Sequence, residues 1–537
     1  MFQWRKKHKN SYESNINIDA SEQENNKNIN DKPSDKDKKN PEKLPASIDQ
    51  VKQMLNLEFS LCSDFTIREI LIGQLDTKVL IAMIDGFYDK KILSENIIEP
   101  IMKYSGEGNK HSITNLLKEQ IICSGELKEI MTLKDSISGI LSGDVIIFID
   151  GQESALKIGL RAPEKRAVSE ADTEVTLKGS REGFSESLRT NIILLRRRIK
   201  NTKFKVETIV LGEKTNTDVS ICYIQGIASN HVIDEVRRRI NKIKIDGVLA
   251  TGYIEQFIQD SRFPLFPIIG NSEKPDKVAA KILEGRVAIL SDGTPTVLTV
   301  PYFLIESIQA QEDYFGEFFF ASFMRILRLI AVMISIYLPA IYVALTNFHQ
   351  TIIPYKMMLT MAASREGIPF SAFIEALFML LTFEILREAG QRMPRAIGQA
   401  VSIVGAIVLG DAAVSASIAS APLVIIIALA GICSFIVPPL MKTGAILRVL
   451  MLMFSGLLGL MGIGFLTFLL VIFLCKKKSF GAPYLSPISP FNAQDLKDSL
   501  IVVPVWAMFT RPKSLAAGQD IRRTTGKNQK PRRKRNG

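Results

Sequence analysis

Histidine is scarce in this chain, and so is every arrangement of residues that would make an enzyme. The four histidines, His8, His111, His231 and His349, stand far apart, and none has a partner at metal-ligand spacing. There is no GxxxxGK phosphate loop, no HExxH helix and no GxSxG elbow. The five cysteines, Cys62, Cys123, Cys222, Cys433 and Cys475, are odd in number and widely spaced, which gives neither a disulfide framework nor a metal pattern. Behind the first residues, "MFQWRKKHKN", comes a polar tract where a secretory signal would have an apolar stretch. The reading is a non-enzyme without cofactor or metal, whose soluble part stays in the cytosol.

What is present is unevenly distributed. The 537 residues carry 67 Lys+Arg against 55 Asp+Glu, a net charge of +12. That balance suits an anionic membrane surface or the cytoplasmic loops of a membrane protein. From Leu329 to Cys475 the chain is mostly apolar, whereas before Pro301 it reads as soluble. Residues 1–45 are rich in Asn, Lys, Asp and Ser, with too little apolar surface to offset the entropy of ordering, and are expected to be a disordered polar tail.

The soluble part says one thing twice. "ILSGDVIIFIDG" from Ile140 to Gly151 returns as "ILEGRVAILSDG" from Ile282 to Gly293, with seven of twelve positions matched and each displaced by 142 residues. In both copies a helix should end at a glycine, Gly143 or Gly285, that accepts positive φ. A short β-branched strand follows, then an Asp-Gly turn, Asp150-Gly151 or Asp292-Gly293, and a return strand. The expected fold class is therefore an α+β soluble region of two related α/β subdomains followed by an all-α polytopic membrane domain. The first subdomain is placed at 46–160, a connector at 161–202, and the second subdomain with a membrane-proximal hinge at 203–320. In the second, "KFKVETIVLG" and "TDVSICYIQGI" pair through "EKTN", with Val219, Ile221 and Tyr223 on one face. "NHVIDEVRRRINKI" is an amphipathic helix capped by Asn230, burying Val232, Ile233, Val236 and Ile240.

A membrane domain at 321–475 precedes a cytosolic tail at 476–537. Charge-poor runs put spans near 329–347, 396–416, 421–441 and 449–475, each near the roughly 20 apolar residues a crossing needs. The segment 370–388 is ambiguous, because Glu375 and Glu384 lie about 180° apart around a helix. It either lies at the interface or packs inside a bundle, and making it a true span would turn "AIGQAVSIVGAIVLG" into a short re-entrant piece. Lys476, Lys477, Lys478 and the basic end "IRRTTGKNQKPRRKRNG" favour a cytosolic C-terminus and attraction to anionic lipid, which leaves no need for a nucleic-acid partner.

Several motifs carry a resemblance. "GSREGFSESLRTNIILLRRRI", "PYFLIESIQAQEDYF", "FEILREAGQRMPRAIGQAVSIVGAIVLGDAAV" and "FGAPYLSPISPF…DLKD" closely resemble the A subunit of GerA-type spore germination receptors, from Leu160 to about Pro512. The resemblance implies a protein of the spore inner membrane, which the apolar runs make multi-pass and the charge pattern orients with both termini in the cytosol. It implies a homo-oligomer that works with a polytopic B subunit, itself similar to amino-acid transporters and holding the germinant, and with a C lipoprotein. It further implies an ion channel or conduit that opens on nutrient sensing. A non-conducting scaffold that relays the signal is the alternative.

Three groups of residues are singled out. Val401, Val404, Gly405 and Val408 share a helix face that, in a ring of subunits, would form an apolar neck gating by dewetting, with Asp411 one turn on as a ring of carboxylates. Ordinary close helix packing at Gly405 and Gly410 is the competing account. The resemblance implies Gln at the place of Asp411 in many relatives. Glu375, Glu384 and Arg387 are ionisable groups at membrane depth, where a charge needs water or a partner. Glu312, Asp313 and Tyr314 precede the first span and are expected to form the hinge that passes movement of the second subdomain to the helices.

Overall fold

The computed structural model describes residues 43–72, 77–104, 127–160, 174, 179–262, 264–394, 408–492, 495–508, 510–512 and 515. The first subdomain opens with α1 (Ile48–Glu58), whose Ile48, Val51 and Leu55 recur at helical spacing and are buried. The strands β1 (Phe65–Ile72) and β2 (Thr77–Ile84) form an antiparallel hairpin, and β3 (Leu127–Ile130) precedes α2 (Leu133–Ser142). The strands β4 (Val145–Ile149) and β5 (Ala155–Ile158) complete a five-stranded sheet of order β1-β2-β4-β5-β3.

The second subdomain repeats this order, with two helices in the place of the helical stretch at 90–103 that follows β2 in the first. Helix α3 (Leu188–Arg198) is followed by β6 (Phe204–Leu211), β7 (Thr217–Ile224), α4 (Asn230–Asn241) and α5 (Thr251–Ile258). Then come β8 (Gly270–Ser272), α6 (Pro275–Leu283), β9 (Val287–Ser291) and β10 (Val297–Val300), in a sheet of order β6-β7-β9-β10-β8. Neighbouring strands in both sheets are antiparallel.

The matched residues close both copies in the same way. Gly143 and Gly285 take φ of 93° and 106° just past their helices, a region open to glycine because it has no Cβ. The Asp-Gly pairs do more than turn the chain. Asp150 Oδ1 accepts from the Ile48 amide at 3.2 Å, and Asp292 Oδ1 accepts from the Leu188 amide at 2.9 Å. Gly151 N and Gly293 N donate to the carbonyls of Ala46 and Glu186, each at 2.8 Å. Each turn therefore satisfies an otherwise unpaired amide at the start of its own subdomain's first helix.

Two expectations are corrected here. The second half of the expected 161–202 connector belongs to the second subdomain, because Phe184, Leu188, Ile192 and Leu195 pack with Phe204, Val278 and Val297 in one core. The helix there buries the stripe of Leu188, Ile192 and Leu195 that helical spacing marks in the sequence; only its assignment to a connector changes. Asn230 is the first helical residue and Ser229 takes the cap position, since the chain leaves extended geometry at Ser229.

The subdomains join along the free edge of β6. Val206 N donates to Leu61 O at 3.2 Å, and Ser63 N donates to Val206 O at 2.9 Å. Arg196, fully buried, grips Asp64 with two bonds of 2.7 and 2.8 Å. Removing either partner would leave an uncompensated buried charge.

The C-terminal region is helical: α7 (Phe318–Asn347), α8 (Tyr355–Ala363), α9 (Ala372–Arg392), a helical stretch at 408–415, α10 (Ala421–Phe435), α11 (Met441–Leu458) and α12 (Leu460–Lys476). Among the described residues two helices, Phe318–Asn347 and Pro438–Leu458, are long and apolar enough to cross a membrane, and Ala421–Phe435 and Leu460–Lys476 are shorter apolar helices. The apolar run at 449–475 is not one helix. Gly459, at φ 59° and ψ −140°, breaks it into α11 and α12, which pack on each other. The run at 421–441 stops at Phe435 and turns through Pro438–Leu440, where the paired prolines cannot continue an α-helix. The run at 329–347 is the second part of α7, and most of 396–416 lies outside the described residues.

Candidate functional site

Where the soluble part meets the helices, charge is buried and paired. Asp313 accepts from Arg325 Nε at 2.9 Å and from Arg328 Nη1 at 2.8 and 2.9 Å, both arginines lying on α7. Arg325, 0% exposed, also donates to Asp498 Oδ1 at 3.0 Å and to the carbonyls of Asp498 and Ser499 at 2.7 and 2.9 Å. Tyr314 donates to Asp498 Oδ2 at 2.8 Å, and Glu312 is half-buried beside it. Burial pushes the carboxyl of Asp498 up against the pull of Arg325, and burial, helped by Asp498, pushes the Tyr314 hydroxyl up as well. Arg325 and Arg328 carry no mark of this pairing in the sequence, since basic residues ahead of an apolar run read as plain anchoring.

A second buried knot forms at Glu306, seven residues before Asp313. Glu306 accepts from its own turn at Phe303 N, 2.9 Å, and pairs with Arg286 at 2.9 Å and Lys281 at 3.0 Å. Burial alone would push the Glu306 carboxyl up, but Arg286 and Lys281 outweigh it and hold it below the ordinary carboxylate range. Nearby, Ser479 Oγ donates to Ile268 O at 2.7 Å and accepts from Tyr302 N at 3.0 Å, which ties the segment after α12 to the sheet.

Inside the helical bundle the acidic residues of α9 face partners. Glu375, 1% exposed, accepts from the backbone and hydroxyl of Ser420, the N-cap residue of α10, with Arg365 at 3.5 Å. A carboxylate suits that helix N-terminus electrostatically. Glu384 lies between Arg387 at 2.5 Å and the fully buried Arg448 at 3.2 Å, and Arg448 also donates to Ser335 O at 2.8 Å. The 180° separation of the two carboxylates is met by packing α9 among α7, α10 and α11. Nothing in the sequence marks Arg448, because a lone arginine near the start of an apolar run resembles a span boundary.

Val401, Val404 and Gly405 lie outside the described residues. Val408 is 56% exposed and Asp411 is exposed, while Ala413, two residues on, is buried in the bundle. Asp411 makes no ion pair among the described residues. The described residues hold no group of His, Cys, Asp and Glu able to bind a metal.

Comparison with known proteins gives the family of the chain. Spore germination protein KA of Bacillus subtilis (strain 168) is 42% identical over 477 residues, which cover 88% of this chain and 87% of that protein. Spore germination protein GerLA of Bacillus cereus is 35% identical over 474 residues, covering 88% and 96%. The crystal structure of the N-terminal domain of the A subunit of the Bacillus megaterium spore germinant receptor GerK3 aligns at 31% identity with a TM-score of 0.39, over 48% of this chain and 96% of that one. The profile of the Bacillus/Clostridium GerA spore germination protein family matches residues 53–514, and the chain belongs to that family.

Proposed function

We propose that this chain is the A subunit of a nutrient germinant receptor and that several copies surround an ion conduit in the spore inner membrane. Its B and C subunit partners, its multi-pass topology and its cytosolic termini are part of the same reading. The observation that carries the conduit is Asp411: an exposed carboxylate in the helical region, within two residues of the buried core and without an ion pair among the described residues. A charge at membrane depth is costly unless it meets water or a partner. A water-filled axis shared between copies supplies both, with Val408 as part of the apolar constriction beside it. Glu375 supports the arrangement by holding Ser420, at the end of the turn that follows the Asp411 helix.

The test is ion retention in spores. Val408→Ala removes side-chain volume from the neck and is expected to release cations without nutrient while protein levels stay normal. Asp411→Asn is expected to slow nutrient-triggered cation release. Normal retention and normal release in both variants would favour the non-conducting scaffold.

A further inference from the structure

The chain after α12 is not a loose tail where it is described. Arg325 binds the carbonyls of Asp498 and Ser499, Gln309 Nε2 donates to Asp498 O at 2.6 Å, and Val502 N donates to Ser322 Oγ at 2.9 Å. These bonds lay the segment across the first turns of α7. At 100° per residue, Arg325 falls on one side of Ser322, while Phe319, Phe323, Ile326 and Ile330 fall on the other within a sector of about 60°. All four of these apolar side chains are exposed, Phe319 at 75%. The segment crosses the boundary between the paired arginine face and this apolar sector, and it brings its own exposed apolar residues, Ile501 at 64% and Trp506 at 40%.

What covers such a surface follows from the helix that carries it. The 30 residues of α7 extend about 45 Å, against a hydrocarbon core of about 30 Å. The apolar sector runs without a break from Ile330 back to Phe319, so it leaves the hydrocarbon and enters the headgroup zone. Trp is favoured in that zone, where an apolar ring carries a polar N–H. Charge agrees: Lys497 is exposed beside the segment, Lys476 and Lys478 are exposed at the end of α12, and the sequence beyond 520 is strongly basic. Anionic headgroups complement such a rim.

We propose that Ile501 and Trp506 sit in the anionic headgroup layer beside Phe319 and Phe323, making the segment around 498–506 a second membrane contact clamped to α7. This is independent of whether the protein conducts ions.

The chain carries its own reporter, since Trp4 and Trp506 are its two tryptophans. The full chain with Trp4→Phe is reconstituted into vesicles of phosphatidylcholine and phosphatidylglycerol with or without brominated acyl chains. The expected result is loss of most Trp506 emission to brominated lipid and little loss to aqueous iodide. Ile501→Glu should reduce the loss to brominated lipid, and more so with phosphatidylglycerol than with phosphatidylcholine alone. Quenching by iodide without quenching by lipid would place Trp506 in water and overturn the proposal. Protection from both quenchers would mean cover by protein, such as a second copy, and would overturn it equally.

Discussion

The first soluble subdomain fills its two cores with its own residues, apart from Ile193 of α3 at the edge of one. One side of its sheet packs Val79, Ile81, Ile147 and Leu156 against Ile97 and Ile101, and the other packs Leu80, Ile146 and Phe148 against Val51, Leu55 and Ile140. The second has the same strand order, yet one of its two cores does not end at its own helices. Ile221, Ile289 and Leu298 lie in a single buried cluster with Ile336, Ala340, Leu447, Met451 and Tyr484 of the helical region. The difference comes from a few residues beside the sheet. Leu265–Ile269 before β8 and Tyr302 after β10 reach α11, α12 and the chain beyond, through Thr443 Oγ1 to Leu265 O at 2.6 Å and Tyr302 N to Ser479 Oγ at 3.0 Å. One duplicated fold thus keeps clear of the helical bundle in one copy and serves as its foundation in the other.

Arg325→Ala tests this contrast most severely. It strips Asp313 and Asp498 of a fully buried partner, a loss of about 3–5 kcal/mol. Thermal unfolding of the detergent-solubilised chain should show the second subdomain and α7 melting earlier, with the first subdomain unchanged. Uniform destabilisation of both subdomains would break the comparison.

The pair Ile147→Ala and Ile289→Ala sharpens it, because the two positions are related by the repeat and both are fully buried. Each should cost about 2–5 kcal/mol. Limited proteolysis is expected to show Ile289→Ala opening sites in α11 and α12, whereas Ile147→Ala opens sites in the first subdomain alone. Loss of protection in α11 from Ile147→Ala would show that the cores are coupled after all.

The smallest effect is predicted for Asp150→Ala and Asp292→Ala. Each removes the acceptor for the first amide of a helix, at about 1 kcal/mol. Hydrogen exchange should rise at Ile48 in one variant and at Leu188 in the other, by similar amounts. A large asymmetry would mean that the turns differ in weight.

Much of the soluble fold was legible because its punctuation is local. Gly143 and Gly285 mark helix ends through backbone freedom, and Asp-Gly marks a turn whatever surrounds it. The partner of each aspartate, about 100 residues earlier, leaves no local trace, so the pin onto α1 and α3 was invisible. The buried arginines show the same limit. Arg196, Arg325 and Arg448 sit in ordinary basic or mixed stretches, and only the fold brings Asp64, Asp313 and Glu384 to them. Glu375 and Glu384 could be singled out because a carboxylate among Leu, Phe and Met breaks the pattern, and Arg387 with them, whereas the distant partners Arg365, Ser420 and Arg448 could not. The break at Gly459 was hidden because the residues on both sides stay apolar, and hydropathy counts composition rather than direction.

That break has a mechanical outcome. By folding α11 back along α12, Gly459 returns the far end of the pair to its starting level, where Thr443 touches Leu265 and Lys477 reaches the carbonyl of Phe266 at 3.4 Å. Two adjacent residues of the second subdomain thus hold both legs of a hairpin. A tilt of that hairpin pivots on Leu265 and Phe266, and the opposite tip sweeps the longest arc.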